Sequence, residues 1–308
     1  MIEWGRAEAV ACDVATELLG MDPGSFTFAQ SSSHRVYLSS DVVVKLIGVG
    51  DHSRLDREVA LFPHLPVGLT AEFLSSGSRA LGLGRVRYAC YRRVPGVAPS
   101  IGLPDVDEPS ALNWTAQALR YLEDLHRWTP VGSAAQMLRE PLDHGGFVTR
   151  DKMIADVAKI RDVDRTRLMS RSVVDGLADM ADHAPFAASA RVPVHADCHW
   201  GNWLVDDRRV TALVDFEWAR FGAPIDDWFF LARFSGSHRH AVLRLISDAT
   251  ATPLDDLRAE CELREAAYLT SDLLIALSQH QETPQAAFDL LSEIEDLVVN
   301  RSWWRKPT

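Results

Sequence analysis

Several features that identify protein classes are scarce in this chain. No apolar run approaches the roughly 20 residues that a membrane span needs, and the first twenty residues lack a secretory signal pattern. Cysteine is rare and never has the CxxC spacing, which argues against a disulfide framework and a thiolate zinc site. The four cysteines are Cys12, Cys90, Cys198 and Cys261. We therefore expect a cytoplasmic protein that does not enter a membrane.

Positive charge is also in short supply. The 308 residues carry 32 Lys and Arg against 43 Asp and Glu, a formal net charge of -11. Because nucleic-acid phosphates are bound by clustered Lys and Arg, this balance argues against a nucleic-acid partner. The length and the 47% hydrophobic content indicate a globular chain with room for two cores. We expect a monomer or a weak dimer.

Polar residues concentrate in one stretch, residues 192–227. Two short apolar runs, 203–205 and 210–214, flank a turn and predict a β-hairpin. A hairpin brings its outer ends together, so Asn202 and Asp215 would be neighbours. An amide oxygen beside a carboxylate suits magnesium, which also binds substrate phosphates. Asp197 lies five residues before Asn202 and within reach of such an ion's ligands.

The order of these polar residues resembles that of a known family. The pattern is His195-x-Asp197-x4-Asn202, then Asp215-Phe216-Glu217, then Gly222-x-Pro224-x-x-Asp227. It resembles the aminoglycoside phosphotransferase and choline kinase family, small-molecule kinases built on the protein-kinase plan. The resemblance implies that Asp197 accepts or orients the proton of the attacking hydroxyl, and that Asn202 and Asp215 hold magnesium. Asp227 would brace the loop. His195 is a second catalytic candidate by its place in the pattern, but we expect it to brace the loop through backbone contacts rather than to join the chemistry.

The first third of the chain fits the same resemblance. Lys45 lies in the middle of a strong strand former, residues 42–47. The resemblance implies that Lys45 contacts the nucleotide phosphates and that Glu58, on a helix, is its partner. The alternative is an edge strand that turns Lys45 to solvent. A loop without glycine replaces the expected glycine-rich phosphate cover, and its hydroxyl and N–H groups would bind phosphate instead. Its cofactor-binding candidates are Ser31, Ser32 and Ser33.

The implied fold is α+β, a protein-kinase-like two-lobe fold with a small mixed β-sheet N-lobe and a mostly helical C-lobe. We expect a nucleotide-binding N-lobe over residues 1–93, a linker over 94–99, and a C-lobe over 100–308. The nucleotide base would contact the chain near Tyr91 and Arg93 through the backbone, so ATP and GTP both remain open. Residues 110–128 predict a long helix with Ser110 as its N-cap.

No spacing rule identifies the acceptor. Residues 251–300 hold eleven Asp or Glu against two Arg, which is either a solvated helix face or a wall that attracts a cationic substrate. Tryptophans in the loops would stack on a flat or sugar-like acceptor. The acceptor candidates are Trp200, Trp218, Asp226, Glu262, Glu265 and Asp272.

These patterns predict a magnesium-dependent enzyme that moves the γ-phosphate of ATP or GTP to a hydroxyl of a small molecule. An antibiotic of the aminoglycoside, macrolide or nucleoside type is one acceptor class, with resistance as the outcome. A primary metabolite such as choline or homoserine is the alternative.

Two other classes remain to be distinguished. A metal-dependent hydrolase would use His195, Asp197, His199 and Asp215 as metal ligands, which would leave Lys45 without a role. A pseudokinase would lack an essential residue of the pattern, and none is missing.

Overall fold

The N-terminal third of the computed structural model is a five-stranded sheet of order β1-β2-β3-β5-β4, and every pairing in it is antiparallel. The structure describes residues 4–29, 34–50, 54–142, 146–164, 168–278 and 284–305. The elements of this part are α1 (Ala7–Leu19), β1 (Thr27–Ala29), β2 (Arg35–Leu38), β3 (Val42–Gly48), α2 (Arg54–Leu61), β4 (Phe73–Leu81) and β5 (Gly84–Arg92).

Strand β3 serves a different core on each face, because successive side chains of a strand point to opposite faces. Val44 and Leu46 are fully buried in a small core with α1. Ile47 belongs to the large core that includes α2 and the helices of the rest of the chain. Lys45 shares the face of Ile47 and therefore points toward that interior. Since β3 lies between β2 and β5, the edge-strand alternative for Lys45 is wrong.

The remainder of the chain is mostly helical and contains two short antiparallel ladders, β6 with β9 and β7 with β8. Its elements are α3 (Glu108–Arg127), α4 (Gly132–Arg139), α5 (Arg150–Val163), α6 (Arg171–His183), β6 (Val192–Val194), β7 (Trp203–Asp206), β8 (Arg209–Leu213), β9 (Arg220–Gly222), α7 (Pro224–Arg233), α8 (Arg239–Thr250), α9 (Leu254–Ser278) and α10 (Pro284–Val298).

The hairpin predicted from the two apolar runs is confirmed. Trp203 at the start of β7 pairs with Leu213 at the end of β8. The Val214 N–H donates to the Asn202 carbonyl at 2.9 Å, which extends the ladder by one step beyond the strands. Asn202 and Asp215 are therefore neighbours at the open end of the hairpin.

Other local predictions need correction. Helix α3 begins at Glu108, and its N-cap is Asp107, whose carboxylate accepts the Ser110 N–H at 2.8 Å; the prediction of Ser110 as the cap was wrong. Asp107 precedes a proline in the first turn, a position that favours a helix start. Strands β6 and β9 have three residues each and are too short to give a periodic signal.

The linker after β5 is attached to the hairpin. The N–H groups of Val97 and Val205 each donate to the other residue's carbonyl, at 3.0 and 2.9 Å. The segment that connects the sheet to the helical part is therefore held against the hairpin at Val97. No helix within the described ranges combines the length and the apolar character needed to cross a membrane.

Candidate active site

A cleft of about 890 Å³ lies between the N-terminal sheet and the helical part. Side chains from β3, α2, the loop of residues 195–202 and the segment of residues 215–219 converge on it; we call the last two the loop segment and the carboxylate segment. Charged or amide side chains that line the cleft are Lys45, Arg54, Glu58, Arg92, Arg93, Asp197, Asn202, Asp215 and Glu217.

Lys45 forms the centre of the charged cluster. Its Nζ lies 2.9 Å from Glu58 Oε2 and 3.4 Å from Asp215 Oδ1. Burial alone would lower the pKa of Lys45, but the negative charges of Asp215 and Glu58 outweigh it and the pKa is raised. Lys45 is therefore a permanent cation that joins the sheet to the carboxylate segment.

Glu58 is fully buried and is held by a second donor besides Lys45. The Tyr91 hydroxyl donates to its Oε1 at 2.5 Å. Burial raises the pKa of Glu58, and the nearby charges of Asp215 and Glu217 raise it further against the opposite effect of Lys45. Glu58 and Asp215 thus share the cation of Lys45, and the guanidinium groups of Arg54, Arg92 and Arg93 add further positive charge to the lining of the cleft.

A buried pair that the sequence analysis did not identify adjoins this cluster. His34 Nε2 lies 2.8 Å from Glu217 Oε1, and both side chains are almost fully buried. The pair connects the start of β2 with the carboxylate segment. Glu217 belongs to the recognised sequence pattern, but nothing in the sequence indicates that His34 is its partner.

Asp227 holds the loop segment from the start of α7. Its Oδ1 accepts the Ala196 N–H at 2.7 Å, and its Oδ2 accepts the His195 N–H at 3.2 Å. His126 Nε2 lies 2.8 Å from the same Oδ2. Ala196 has a φ of 61°, a left-handed conformation that is costly for a non-glycine residue. The carboxylate therefore maintains a strained backbone immediately before Asp197.

His195 has no nitrogen free for catalysis or for a metal. Its Nδ1 accepts the Asp197 N–H at 3.3 Å, so the proton is on Nε2, which donates to the Val214 carbonyl at 3.0 Å. Burial lowers the pKa of His195 to about 4, which keeps the ring neutral near pH 7. This corrects its status as a catalytic candidate in favour of a bracing role, and removes it from the ligand set of the hydrolase alternative.

Asp197 is oriented by the amide of Asn202. Asn202 Nδ2 donates to the Asp197 carbonyl at 2.7 Å and lies 3.3 Å from its Oδ2. Burial raises the pKa of Asp197 well above that of an ordinary aspartate, and the charges of Asp215 and Glu217 act in the same direction. A carboxylate with a raised pKa, partly open to the cleft, has the properties of a general base.

The donor set fits a magnesium ion. Asp215 adopts a left-handed conformation, with φ of 70°, that turns it out of the hairpin, and its buried Oδ1 accepts no hydrogen bond within the described part of the chain. The amide nitrogen of Asn202 is used by Asp197, which leaves its oxygen for a cation. Glu58, Asp215 and Glu217 are the described acids whose oxygens come close enough to share an ion. Oxygen donors of this kind suit magnesium.

Of the remaining predicted nucleotide-binding residues, the structure describes Tyr91 and Arg93 but not the serines. Ser31, Ser32 and Ser33 lie outside the described residues. Tyr91 is near the end of β5 and its hydroxyl is used by Glu58. Arg93 follows β5; its N–H donates to the Asp41 carbonyl at 2.7 Å and its guanidinium to the Ser39 carbonyl at 2.9 Å.

The two tryptophan candidates for acceptor binding are in opposite environments. Trp200 is 0% exposed, and its indole N–H donates to Ser235 Oγ at 3.0 Å. It is a core residue and cannot stack on an acceptor, so that prediction was wrong. Trp218 lines the cleft, and the Arg54 guanidinium lies 4.7 Å from the centre of its ring.

The acidic candidates are mostly neutralised inside the helical part. Arg264 lies 2.7 Å from Asp226, and Arg301 donates two bonds to Glu262 at 2.8 and 3.0 Å. Glu265 accepts from Arg233 at 2.8 Å and from the Trp303 indole at 2.5 Å. All three acids are buried. They are structural ion pairs and not an acidic wall, which corrects the prediction for them; Asp272 is only half-buried.

A sequence comparison decides the family. The profile described as "Phosphotransferase enzyme family" matches residues 27–263. The chain belongs to this family. The match covers Lys45, Glu58 and the whole stretch from His195 to Asp227, so the resemblance inferred from the motif and the predicted class of enzyme are both confirmed. No sequence among curated proteins matches this family member.

Solved structures confirm the fold of this phosphotransferase. The GDP complex of aminoglycoside 2'-phosphotransferase-IIIa is similar with a TM-score of 0.74 at 15% identity, covering 96% of this chain and 99% of that one. The GDP and kanamycin complex of APH(2")-IIia gives 0.72 at 16% identity, with coverages of 95% and 98%. A thermostable APH(4)-Ia mutant with AMP-PNP and hygromycin B gives 0.62 at 18%, with coverages of 94% and 98%.

Proposed function

We propose that this protein is a magnesium-dependent kinase that transfers the γ-phosphate of ATP or GTP to a hydroxyl of a small molecule. The observation that carries the proposal is the convergence of Lys45, Asp215 and Asp197 on one cleft from three distant segments. Phosphoryl transfer requires charge neutralisation and alignment more than covalent chemistry, and these residues supply both.

Each residue has a role that follows from its position. Lys45, fixed by Glu58, neutralises charge on the nucleotide phosphates. Asn202 and Asp215 would hold the magnesium ion, which would neutralise the charge that builds up on the transferred phosphoryl group. Asp197 orients the acceptor hydroxyl and accepts its proton, and Asp227 keeps Asp197 in place.

The linker is the proposed site of the nucleotide base. The Arg92 and Arg93 N–H groups are engaged, with the Glu72 and Asp41 carbonyls at 2.8 and 2.7 Å. Val94 lines the cleft and is the next residue whose N–H is available for a base. We place the division of the chain here, with a nucleotide-binding lobe over residues 1–93, a linker over 94–99 and a helical lobe over 100–308.

Antibiotics are the acceptor class to test first, because two of the similar structures are complexes with kanamycin and with hygromycin B. Trp218 and Asp272 remain the acceptor candidates of the sequence prediction. Because Asp226, Glu262 and Glu265 are paired with arginines, a polycationic acceptor has fewer free carboxylates to contact than the sequence suggested. Macrolides, nucleoside antibiotics, choline and homoserine therefore belong in the same panel.

The test is calorimetric titration of ATP and of GTP into the protein, with magnesium and then with EDTA. We expect magnesium-dependent binding of at least one of them, followed by phosphate transfer to a member of the acceptor panel. The variant Asp197→Asn is the matched control, since it should bind the nucleotide as the wild type does and transfer phosphate ~10²–10⁴-fold more slowly. Absence of nucleotide binding would overturn the proposal.

A further inference from the structure

Arg57 is a buried arginine on α2, next to Glu58. It is 5% exposed, and its side-chain hydrogen bonds to the described residues go to backbone carbonyls of the helical part. One guanidinium nitrogen donates to Met137 at 2.7 Å and to Ala219 at 3.0 Å. The other donates to Glu140 at 3.0 Å. A single side chain thus connects the helix of Glu58 with two segments that are distant in sequence.

The first of these segments is the C-terminus of α4. The last carbonyls of a helix lack partners within the helix and carry a partial negative charge. Met137 belongs to the last turn of α4 and Glu140 follows it, so the guanidinium completes this helix end. A cation is favoured at that position, which reduces the cost of burying the charge.

The second segment is the carboxylate segment. Ala219 closes the 3-10 turn of Phe216–Trp218, which follows Asp215 directly. Arg54, one turn before Arg57 on α2, lies over the ring of Trp218 in the same segment. Helix α2 is therefore joined to the carboxylate segment at two positions, and the bond from Arg57 is the buried one.

We propose that Arg57 is a positioning residue that fixes α2 relative to the carboxylate segment, so that Glu58 meets Lys45 without any activating event. This rests on the function proposed above, in which the Lys45–Glu58 pair must be in place for transfer. Five N–H donors in a rigid planar group suit arginine to binding three carbonyls at once, whereas a lysine has one nitrogen for all of them.

The first experiment compares Arg57→Met and Arg57→Lys with the control Arg87→Met. Arg87 of β5 pairs with Asp56 of α2, so this variant removes a contact of the same helix from the sheet side. We expect kcat to fall about 10²-fold in Arg57→Met, since a shift near 1 Å in a reacting group has that effect. The fall should be smaller in Arg57→Lys, and Arg87→Met should stay within about threefold of wild type, as for a surface ion pair.

A double-mutant cycle separates positioning from general stability. If Arg57 acts through Glu58, then adding Arg57→Met to Glu58→Gln lowers kcat no further than Glu58→Gln alone. Independent, multiplicative losses would overturn the proposal. If Arg57→Met does not fold, the same cycle with Arg57→Lys decides between the two.

Hydrogen exchange tests whether Arg57 fixes α2 to the carboxylate segment, and it does so independently of catalysis. In Arg57→Met or Arg57→Lys, amides of α2 and of residues 216–219 should exchange faster than in wild type and in Arg87→Met. Unchanged exchange in these peptides would overturn the positioning role of Arg57, even if the enzyme is active. If the wild type neither binds a nucleotide nor transfers phosphate, the proposed function fails. The exchange result alone then decides whether Arg57 fixes α2 to the carboxylate segment.

Discussion

Replacing Asp227 tests how the site is held together. Its buried carboxylate receives hydrogen bonds from the His195 and Ala196 N–H groups, and His126 contributes a third contact. Asp227→Asn keeps one acceptor oxygen, which the Ala196 N–H can use. The new amide can donate to His126 if that ring changes tautomer, so the His195 N–H is the group that loses its acceptor. An orphaned buried donor costs about 1–3 kcal/mol, which is the expected loss of unfolding free energy.

Asp227→Ala should be more severe because all three donors lose their acceptor. At about 1 kcal/mol or more for each donor, the loss is at least ~3 kcal/mol, a large part of the ~5–15 kcal/mol typical of a folded protein. Urea unfolding followed by tryptophan fluorescence measures both variants, with the exposed Asp248→Asn on α8 as a control. Equal losses in Asp227→Asn and Asp227→Ala, or a loss below about 0.5 kcal/mol in either, would refute the reasoning.

The effect of pH has a defined sign. Burial alone would raise the pKa of Asp227, but the hydrogen bond and the charge of His126 outweigh it and the pKa is lowered. A carboxyl group with a lowered folded-state pKa stabilises the protein above its unfolded pKa of ~3.9, and this contribution disappears as the pH falls through the folded-state value. The stability difference between wild type and Asp227→Asn should therefore shrink below pH ~4.

Three further predictions concern other residues of the site and its surroundings. Because the pKa of Asp197 is raised, its ionised form costs stability near neutral pH. Asp197→Asn should therefore raise the thermal midpoint of unfolding at pH 7 and lower the rate of phosphate transfer by ~10²–10⁴-fold. A lower thermal midpoint would contradict this. Asp215→Ala should reduce calorimetric nucleotide binding in magnesium to the level seen in EDTA, and full binding would move the metal site elsewhere. Glu265→Gln keeps one acceptor oxygen for the two donors Arg233 and Trp303, so one buried donor loses its partner and urea unfolding should show a loss of about 1–3 kcal/mol with unchanged kcat. A changed acceptor KM without that loss would restore Glu265 as an acceptor contact.

Local patterns were sufficient for the parts of the site that hairpins and strands organise. The neighbourhood of Asn202 and Asp215 follows from two apolar runs and a turn, because antiparallel pairing determines which residues meet. Lys45 was noticeable as a charge in the middle of a strong strand former, but its role and its partner Glu58 came from the family resemblance, because the strand pattern alone left the edge-strand alternative open.

Tertiary packing determines what those patterns left open. Trp200 and Trp218 both lie in short 3-10 turns, yet one is in the core and the other lines the cleft. His34 and Glu217 meet although most of the chain separates them. The arginines that neutralise the buried acids Glu262 and Glu265 of α9 come from other elements, Arg301 after α10 and Arg233 on α7, so charge counting along the sequence could not show that these two acids are paired.

The attachment of the linker to the hairpin determines where the molecule can bend. Two backbone hydrogen bonds join Val97 to Val205, and Gly96, with φ of 116°, packs so closely that a Cβ there would lie 2.8 Å from the Val205 carbonyl oxygen. The Thr211 hydroxyl of β8 also donates to the Pro95 carbonyl at 2.7 Å, so the linker is attached to the hairpin from Pro95 onward. We therefore expect any hinge motion between the sheet and the hairpin to occur at residues 93–94. On this basis we expect the distance from Val97 to Asp215 to stay constant if the cleft opens or closes. A side chain at Gly96 would push the linker away from the hairpin and remove this constraint.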